Sequence, residues 1–482
     1  MPDLAAPSYW LARLIIERGI AAIYCTAFLV ALKQFPALCG DHGLTPARVV
    51  IENRTFLQSP SLFHLGGYSD RRLRIVSWTG IVLSALLVLG LPQQLPLPVT
   101  MATWFVLWAL YQSIVNVGRT FYSFGWETLL LEAGFLAIFL GNAHTAPQWP
   151  VLLAFRWLAF RVELGAGLIK WRGDQCWRDR TCMEFHHETQ PMPNPLSRMF
   201  HRLPKRFHHF EVSGNFFAQL VLPWGLFLPQ PIASICALMM IGTQLYLIVS
   251  GNYAWLNWLT VLCIVAGVAV PFGDQSFAPT SPVFTVLTLA LALMVVVLSY
   301  WPVKNLLSPA QAMNTSFEPF HLVNTYGAFG SVSRERFEVI IEGTLESDVT
   351  PRTRWEEYEF KGKPGSVRRI PMQFAPYHLR LDWLMWFIPL SSHYAEGWFL
   401  QFLVRLLEAD KPTLKLLKRD PFEGAAPTYV RARMYQYWFA GKEEHKTSGA
   451  VWRRQYVSEY VRPISLQQKR TGIRAGSIRP SA

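Results

Sequence analysis

The chain is 482 residues long, 51% hydrophobic and only 16% charged, with a formal net charge of +13. Such apolar content excludes an intrinsically disordered chain. No Lys/Arg run is dense enough for a nucleic-acid groove, so acidic lipid headgroups are the expected counter-charge.

Taken from the N-terminus, Arg13 and Arg18 precede an apolar run with no small-residue cleavage site after it, which reads as an uncleaved first span. Further apolar stretches follow, giving candidate spans near 15–33, 75–92, 99–117, 127–141, 150–170, 214–229, 231–250, 254–270 and 283–302. A bilayer core needs about 20 apolar residues per helix. The predicted fold class is therefore a polytopic α-helical membrane domain of about nine spans over 1–310, followed by a C-terminal β-rich soluble domain over 318–465. Polar loops interrupt the spans near 36–74 and 171–213, and 466–482 reads as a disordered tail. Counting arginines by loop puts the C-terminal domain on the positively loaded side, which the positive-inside rule makes cytoplasmic.

The fourth and fifth stretches carry Glu127 and Glu132, then Arg156, Arg161 and Glu163. Folded as an antiparallel hairpin, they set Glu127 level with Arg161, and Glu132 level with Arg156. Two ion pairs are expected there. They serve either as a structural clamp or as the lining of a polar cavity.

Cys176 and Cys182 share the 171–213 loop and can bridge in an oxidising compartment. Cys25, Cys236 and Cys263 lie in apolar runs and read as inert core. In the same loop, His186, His187 and Glu188 lack the His-Glu-x-x-His spacing, so no metal centre and no cofactor are expected. The basic, aromatic stretch 199–210, with Arg202, Lys205 and Arg206, suits a membrane surface or a plain solvated loop. Asn53 and Asn314 begin glycosylation-type tripeptides.

Beyond residue 310 the period changes. Residues 429–439 alternate in strand fashion, 337–343 and 355–360 also read as strands, and 397–408 as a helix.

Six blocks carry a resemblance. They are 116–127 (with Asn116, Gly118, Arg119, Trp126 and Glu127), 164–182 (with Gly165, Lys170, Trp171, Asp174, Cys176, Trp177 and Cys182), 188–195, 249–259, 324–330 and 377–386. Through them the chain resembles the lipase maturation factors along nearly its whole length. The resemblance implies a membrane protein of the endoplasmic reticulum that helps secreted client proteins such as lipases to fold, with no catalytic turnover of its own. It places the C-terminal domain in the lumen, against the positive-inside count. Arginine outnumbers lysine, a bias of GC-rich genomes, and in a bacterial host the location would be the cytoplasmic membrane. Expected partners are membrane lipids and secreted clients, not nucleic acid. Trp355, Tyr358, Tyr377, Trp383 and Trp386 are candidates for client contact, with core packing as their plain alternative. A fainter likeness, around Gly165, Lys170, Asp174 and Trp177, is to the membrane part of vitamin K-dependent carboxylases. It implies a membrane enzyme in which Lys170 is the base, against the plainer role of a lysine marking the membrane edge.

Overall fold

In the computed structural model, residues 4–270 and 276–467 are described. Most of the stretch expected to be a tail therefore lies outside the described residues.

Helix α1 (Trp10–Cys39) is the axis of the N-terminal domain. Ile16, Ile20, Tyr24, Ala27, Phe28 and Ala31 along it are completely buried, because neighbours pack on several of its faces. Helices α2 (Asp70–Leu89) and α3 (Leu97–Val115) follow. Small residues bring backbones close here: a Cβ at Gly80 of α2 would lie 2.5 Å from the Phe28 ring of α1. Arg18 of α1 reaches the end of α2 and donates to the carbonyls of Leu87 and Val88, at 2.7 and 2.6 Å. The Leu87 oxygen also accepts from the Gly90 backbone at the helix end, and the guanidinium adds a charged donor to both terminal carbonyls.

Then come α4 (Gly125–Ala137), α5 (Trp149–Arg172), α6 (Met183–Thr189), α7 (Lys205–Phe216), α8 (Ile232–Ser250), α9 (Leu256–Val265) and α10 (Pro282–Leu298). Among the described residues, five helical stretches are long and apolar enough to cross a membrane: Pro7–Cys39, Asp70–Leu89, Leu97–Val115, Ile232–Ser250 and Pro282–Leu307. Their outward faces carry exposed Ile75, Trp78, Val82, Leu238, Met239, Leu293 and Val296, the reverse of a water-soluble surface.

The other four of the nine expected stretches are shorter or carry more charge. Helix α4 has 13 residues, about 20 Å at 1.5 Å each. Helix α9 has ten. The 214–229 stretch breaks into the end of α7, a π-helical turn at Phe217–Val221 and the short helix Leu222–Gly225. Helix α5 has 24 residues, but Arg156, Arg161, Glu163 and Lys170 are buried along it. The 214–229 stretch exposes Phe217, Val221, Trp224 and Phe227, whereas α4, α5 and α9 are largely enclosed by other helices. Apolarity alone predicted lipid contact for them, yet a helix enclosed by other helices is equally apolar.

The C-terminal domain is built on a four-stranded antiparallel sheet of β1 (Arg336–Thr344), β2 (Glu356–Glu357), β3 (Tyr429–Phe439) and β4 (Trp452–Ile464), in the order β2-β1-β3-β4. The strand expected at 355–360 thus shrinks to two residues. Helix α11 (Arg380–Phe387) precedes α12 (Phe399–Leu407). In α12, Phe399, Phe402, Leu403, Leu406 and Leu407 are buried at helical spacing, and the helix packs on β3. Domain separation is not clean at 310. Gln311 bonds to the Gly165 carbonyl of α5, and Pro319 accepts from Gln112 and Asn116 beside the end of α3.

Candidate functional site: a buried polar seam between helices and sheet domain

Helix α4 presents Glu127 and Glu132 to the interior, five residues apart and so about 140° apart around the helix. They therefore take partners from different places. Glu132 pairs with Arg161 of α5, both side chains 2% exposed. The same carboxylate accepts from the Asn324 backbone at 3.0 Å, from the Asn324 side chain at 2.9 Å and from the Tyr326 hydroxyl at 2.8 Å. Arg161 in turn donates to the Asn324 carbonyl. The 324–330 block is thus a plug driven between α4 and α5.

Glu127 pairs with Arg380 of α11 at 2.7 Å, both completely buried, and accepts from the Tyr111 hydroxyl. Arg380 also donates to the Phe121 carbonyl at 2.7 Å, and its guanidinium lies 3.5 Å from the centre of the Tyr122 ring. Gln34 of α1 holds the entry to α11: it donates to the His378 carbonyl and accepts from the Arg380 backbone. The 377–386 block is a second plug.

Both expected pairings are therefore corrected. Glu127 does not meet Arg161, and Glu132 does not meet Arg156. Arg156 donates instead to the Ala266 and Leu226 carbonyls, each at 2.9 Å, and lies 5.2 Å from the rings of Tyr9 and Trp149. Ala266 and Leu226 end short helices, so Arg156 fills the same capping role as Arg18. Glu132 reaches Arg161, five positions along α5 from the Arg156 expected level with it, so level placement in a hairpin predicted neither partner.

Lys170 ends α5 with its ammonium donating to Gln219 at 2.8 Å and Asn215 at 3.1 Å, 5.3 Å from the centre of the Trp177 ring. Two of its three N–H groups thus face amide oxygens. Glu163, two turns before it, accepts from Gln244 at 2.7 Å.

The 171–213 segment joins this seam to the sheet. The sulfurs of Cys176 and Cys182 are bonded, with Cα atoms 4.9 Å apart. Asp174 caps the short helix Gln175–Arg178 and takes a two-point bond from Arg334, at 2.9 and 2.8 Å. That guanidinium holds the Asp174 carboxyl down to about 2. Arg336, opening β1, donates to the carbonyls of Glu188, Gln190 and Pro191, and shares Glu338 with Lys363 at 2.6 and 2.8 Å. Asp382 of α11 is buried and accepts from the Gly362 backbone. Burial pushes its carboxyl up to about 6, against the opposing pull of the Gly362 N–H and the Lys363, Lys361 and Arg369 charges.

His187 of α6 meets His208 and Glu211 of α7, and the Tyr246 hydroxyl of α8 donates to the same carboxylate. Inspection of His186, His187 and Glu188 alone missed this cluster. The signal was His208 and Glu211, three apart on a helix and hence on one face.

The aromatic client-contact candidates divide. Tyr358 and Trp383 are buried, and Trp383 packs edge-on against Trp126. They are core residues. Tyr377 is half-buried; Trp386 donates to the Thr189 carbonyl; Trp355 lies under Arg431, whose guanidinium is 3.9 Å from the ring centre. These five residues form no continuous exposed face. The exposed apolar side chains of the domain are elsewhere, including Leu345, Ile370, Met372, Tyr456 and Val457. A cavity of about 530 Å³ near the start of α4 is lined by Arg54, Asn116, Arg119 and His321, with Asn53 and Asn314 also on its wall.

The family model described as "Lipase maturation factor transmembrane domain" matches residues 11–272, and "Lipase maturation factor C-terminal domain" matches residues 322–462. Among curated proteins, the chain is 42% identical to lipase maturation factor 1 of Bos taurus, over 97% of this chain and 91% of that protein. It is 41% identical to lipase maturation factor 1 of Homo sapiens, over 97% and 90%. Lipase maturation factor 2 of Xenopus laevis is 28% identical over 95% and 82%. No solved structure matches.

Proposed function

The chain belongs to the lipase maturation factor family, and from that premise we propose that it assists the folding and assembly of secreted clients, lipases among them, as a chaperone-like factor without catalytic turnover. Its place is the membrane of the endoplasmic reticulum, with the C-terminal domain in the lumen. Arg334 on Asp174 and Arg336 on the Glu188 carbonyl put that domain on the same side as the Cys176–Cys182 bond. A disulfide persists in an oxidising compartment, which supports the lumenal side over the positive-inside count.

The observation that carries the mode of action is the outer edge of β4. This strand runs 13 residues, and among the described residues no strand pairs with its far side. Arg453, Gln455, Tyr456, Val457 and Glu459 on it are exposed. An open edge offers backbone N–H and C=O groups to any extended segment that lacks a partner. A partly folded client has such segments, and a folded one has buried them. Release on completion of folding then needs no energy source.

The test is site-specific photo-crosslinking in the native membrane. A photo-reactive residue at Val457 captures newly made secreted lipase, and the same residue at lipid-facing Leu293 does not. Equal capture at both positions, or at neither, removes the edge-strand mode. Unchanged secretion of active lipase on deleting the protein removes the maturation role itself.

A further inference from the structure

His187, His208 and Glu211 are brought together from two helices that the sequence separates by a loop. Their ligand atoms lie within 4.8 Å of one another. His187 Nε2 is 3.2 Å from one carboxylate oxygen of Glu211, and His208 Nδ1 is 2.6 Å from the other. All three side chains are at most 4% exposed. Two imidazole nitrogens and one carboxylate oxygen on a shared centre are a borderline-soft donor set suited to zinc and its neighbours, not to calcium or magnesium. Tetrahedral zinc with bonds of about 2.0–2.1 Å spaces its ligand atoms by about 3.3 Å, close to the His187–Glu211 separation.

Charge gives the second argument. Glu211 is a buried carboxylate, and among the described residues no lysine or arginine forms an ion pair with it. Lys205, on the same helix, pairs with Glu184, and Arg202 donates to the Ala440 carbonyl. A buried anion facing imidazoles and a phenol wants a counter-charge.

We propose that His187, His208 and Glu211 bind one divalent transition-metal ion, zinc by donor type, with the Tyr246 hydroxyl at the fourth position. The ion would lock α6 to α7 and both to the membrane helix α8. Its effect reaches the sheet domain, because Glu188, next to His187, accepts from the Phe439 backbone of β3 at 2.6 Å. The role is structural: the site is enclosed, and His187, His208 and Glu211 come from the segment that carries the Cys176–Cys182 bond.

The full chain, purified in detergent without a polyhistidine tag, is analysed for metals by mass spectrometry, then stripped with a chelator and titrated with cobalt(II). The expected result is about one zinc ion per chain as purified, and a saturable visible absorption band of four-coordinate cobalt that zinc abolishes. The H208A/E211Q variant should lose at least about tenfold in metal content. If that variant does not fold, the cobalt spectrum of the wild-type chain decides alone. Two outcomes overturn the site: no stoichiometric zinc together with no cobalt band in the wild-type chain, or a folded variant that binds metal as well as the parent. Either would leave the cluster as a histidine–glutamate hydrogen-bond network.

Discussion

Glu127 in the helical bundle and Arg380 in the sheet domain form one ion pair, 2.7 Å apart and wholly buried, across 253 positions of sequence. Each charge sits where neither water nor lipid headgroups reach, so each depends on the other. The two domains are joined by electrostatic necessity as well as by apolar contact.

Replacing Arg380 with Met leaves Glu127 as an uncompensated buried anion and should cost about 3–5 kcal/mol, enough to empty the membrane of folded protein. Adding Glu127→Gln to Arg380→Met removes the orphan charge and should restore part of the abundance. Immunoblotting of membranes from the two strains decides it; a double variant no better than the single one contradicts the pairing.

A charge-swap series separates the partners of Glu132. Glu132→Lys should collapse expression. Arg161→Glu should partly rescue it, and Arg156→Glu should make matters worse, because Arg156 caps helix ends and meets no carboxylate among the described residues. Rescue by Arg156→Glu would reinstate the level-hairpin pairing.

The Cys176–Cys182 bond closes a loop of sequence separation 6, and chain-entropy reasoning gives it about 2 kcal/mol. Thiol-reactive polyethylene glycol should therefore shift this pair on a gel only after reduction. A shift without reductant, in membranes collected under alkylating conditions, would place the loop in a reducing compartment.

Asp382 gives a pH signature. Its folded pKa of about 6 lies above the ordinary 3.8, so the fold disfavours the ionised form. The penalty is present in full above pH 6 and is relieved as pH falls from 6 towards 3.8. Asp382→Asn should raise Tm at pH 7.5, by about 2–3 kcal/mol of stability at most, and match the wild type near pH 4. A variant less stable at both pH values would show that Lys363, Lys361 and Arg369 outweigh burial.

Core and client-facing aromatics should behave differently. Trp383→Ala removes a buried ring and should cost about 3–5 kcal/mol, seen as lost protein. Tyr456→Ala with Val457→Ser, on the exposed edge of β4, should lower lipase capture several-fold while abundance stays unchanged. Equal loss of abundance in both would deny β4 a special role.

What the sequence disclosed follows from what pattern encodes. Apolar length found the five described stretches long and apolar enough to cross a membrane, and alternation found β3, because both are local. Apolarity alone does not separate lipid contact from enclosure, and α4 and α9 are apolar while largely enclosed by other helices. Strand β4 was missed since five of its residues from Arg453 to Glu459 are solvent-exposed and break the alternation. Arg380 and Asn324 escaped because their partners lie 253 and 192 positions away, and nothing short of the fold brings them together. Both nonetheless fall within blocks whose family likeness was plain from the residues.

The two plugs impose an order on biosynthesis. Glu127 and Glu132 leave the ribosome and enter the translocation machinery long before Asn324 and Arg380 exist. Until synthesis passes residue 380, the nascent bundle holds a naked acid at its centre. A message truncated between codons 308 and 380 still encodes the five described stretches long and apolar enough to cross a membrane, yet its product can never pair Glu127 with Arg380. Premature stop codons between positions 308 and 380 should thus yield degraded chains and no free-standing membrane half.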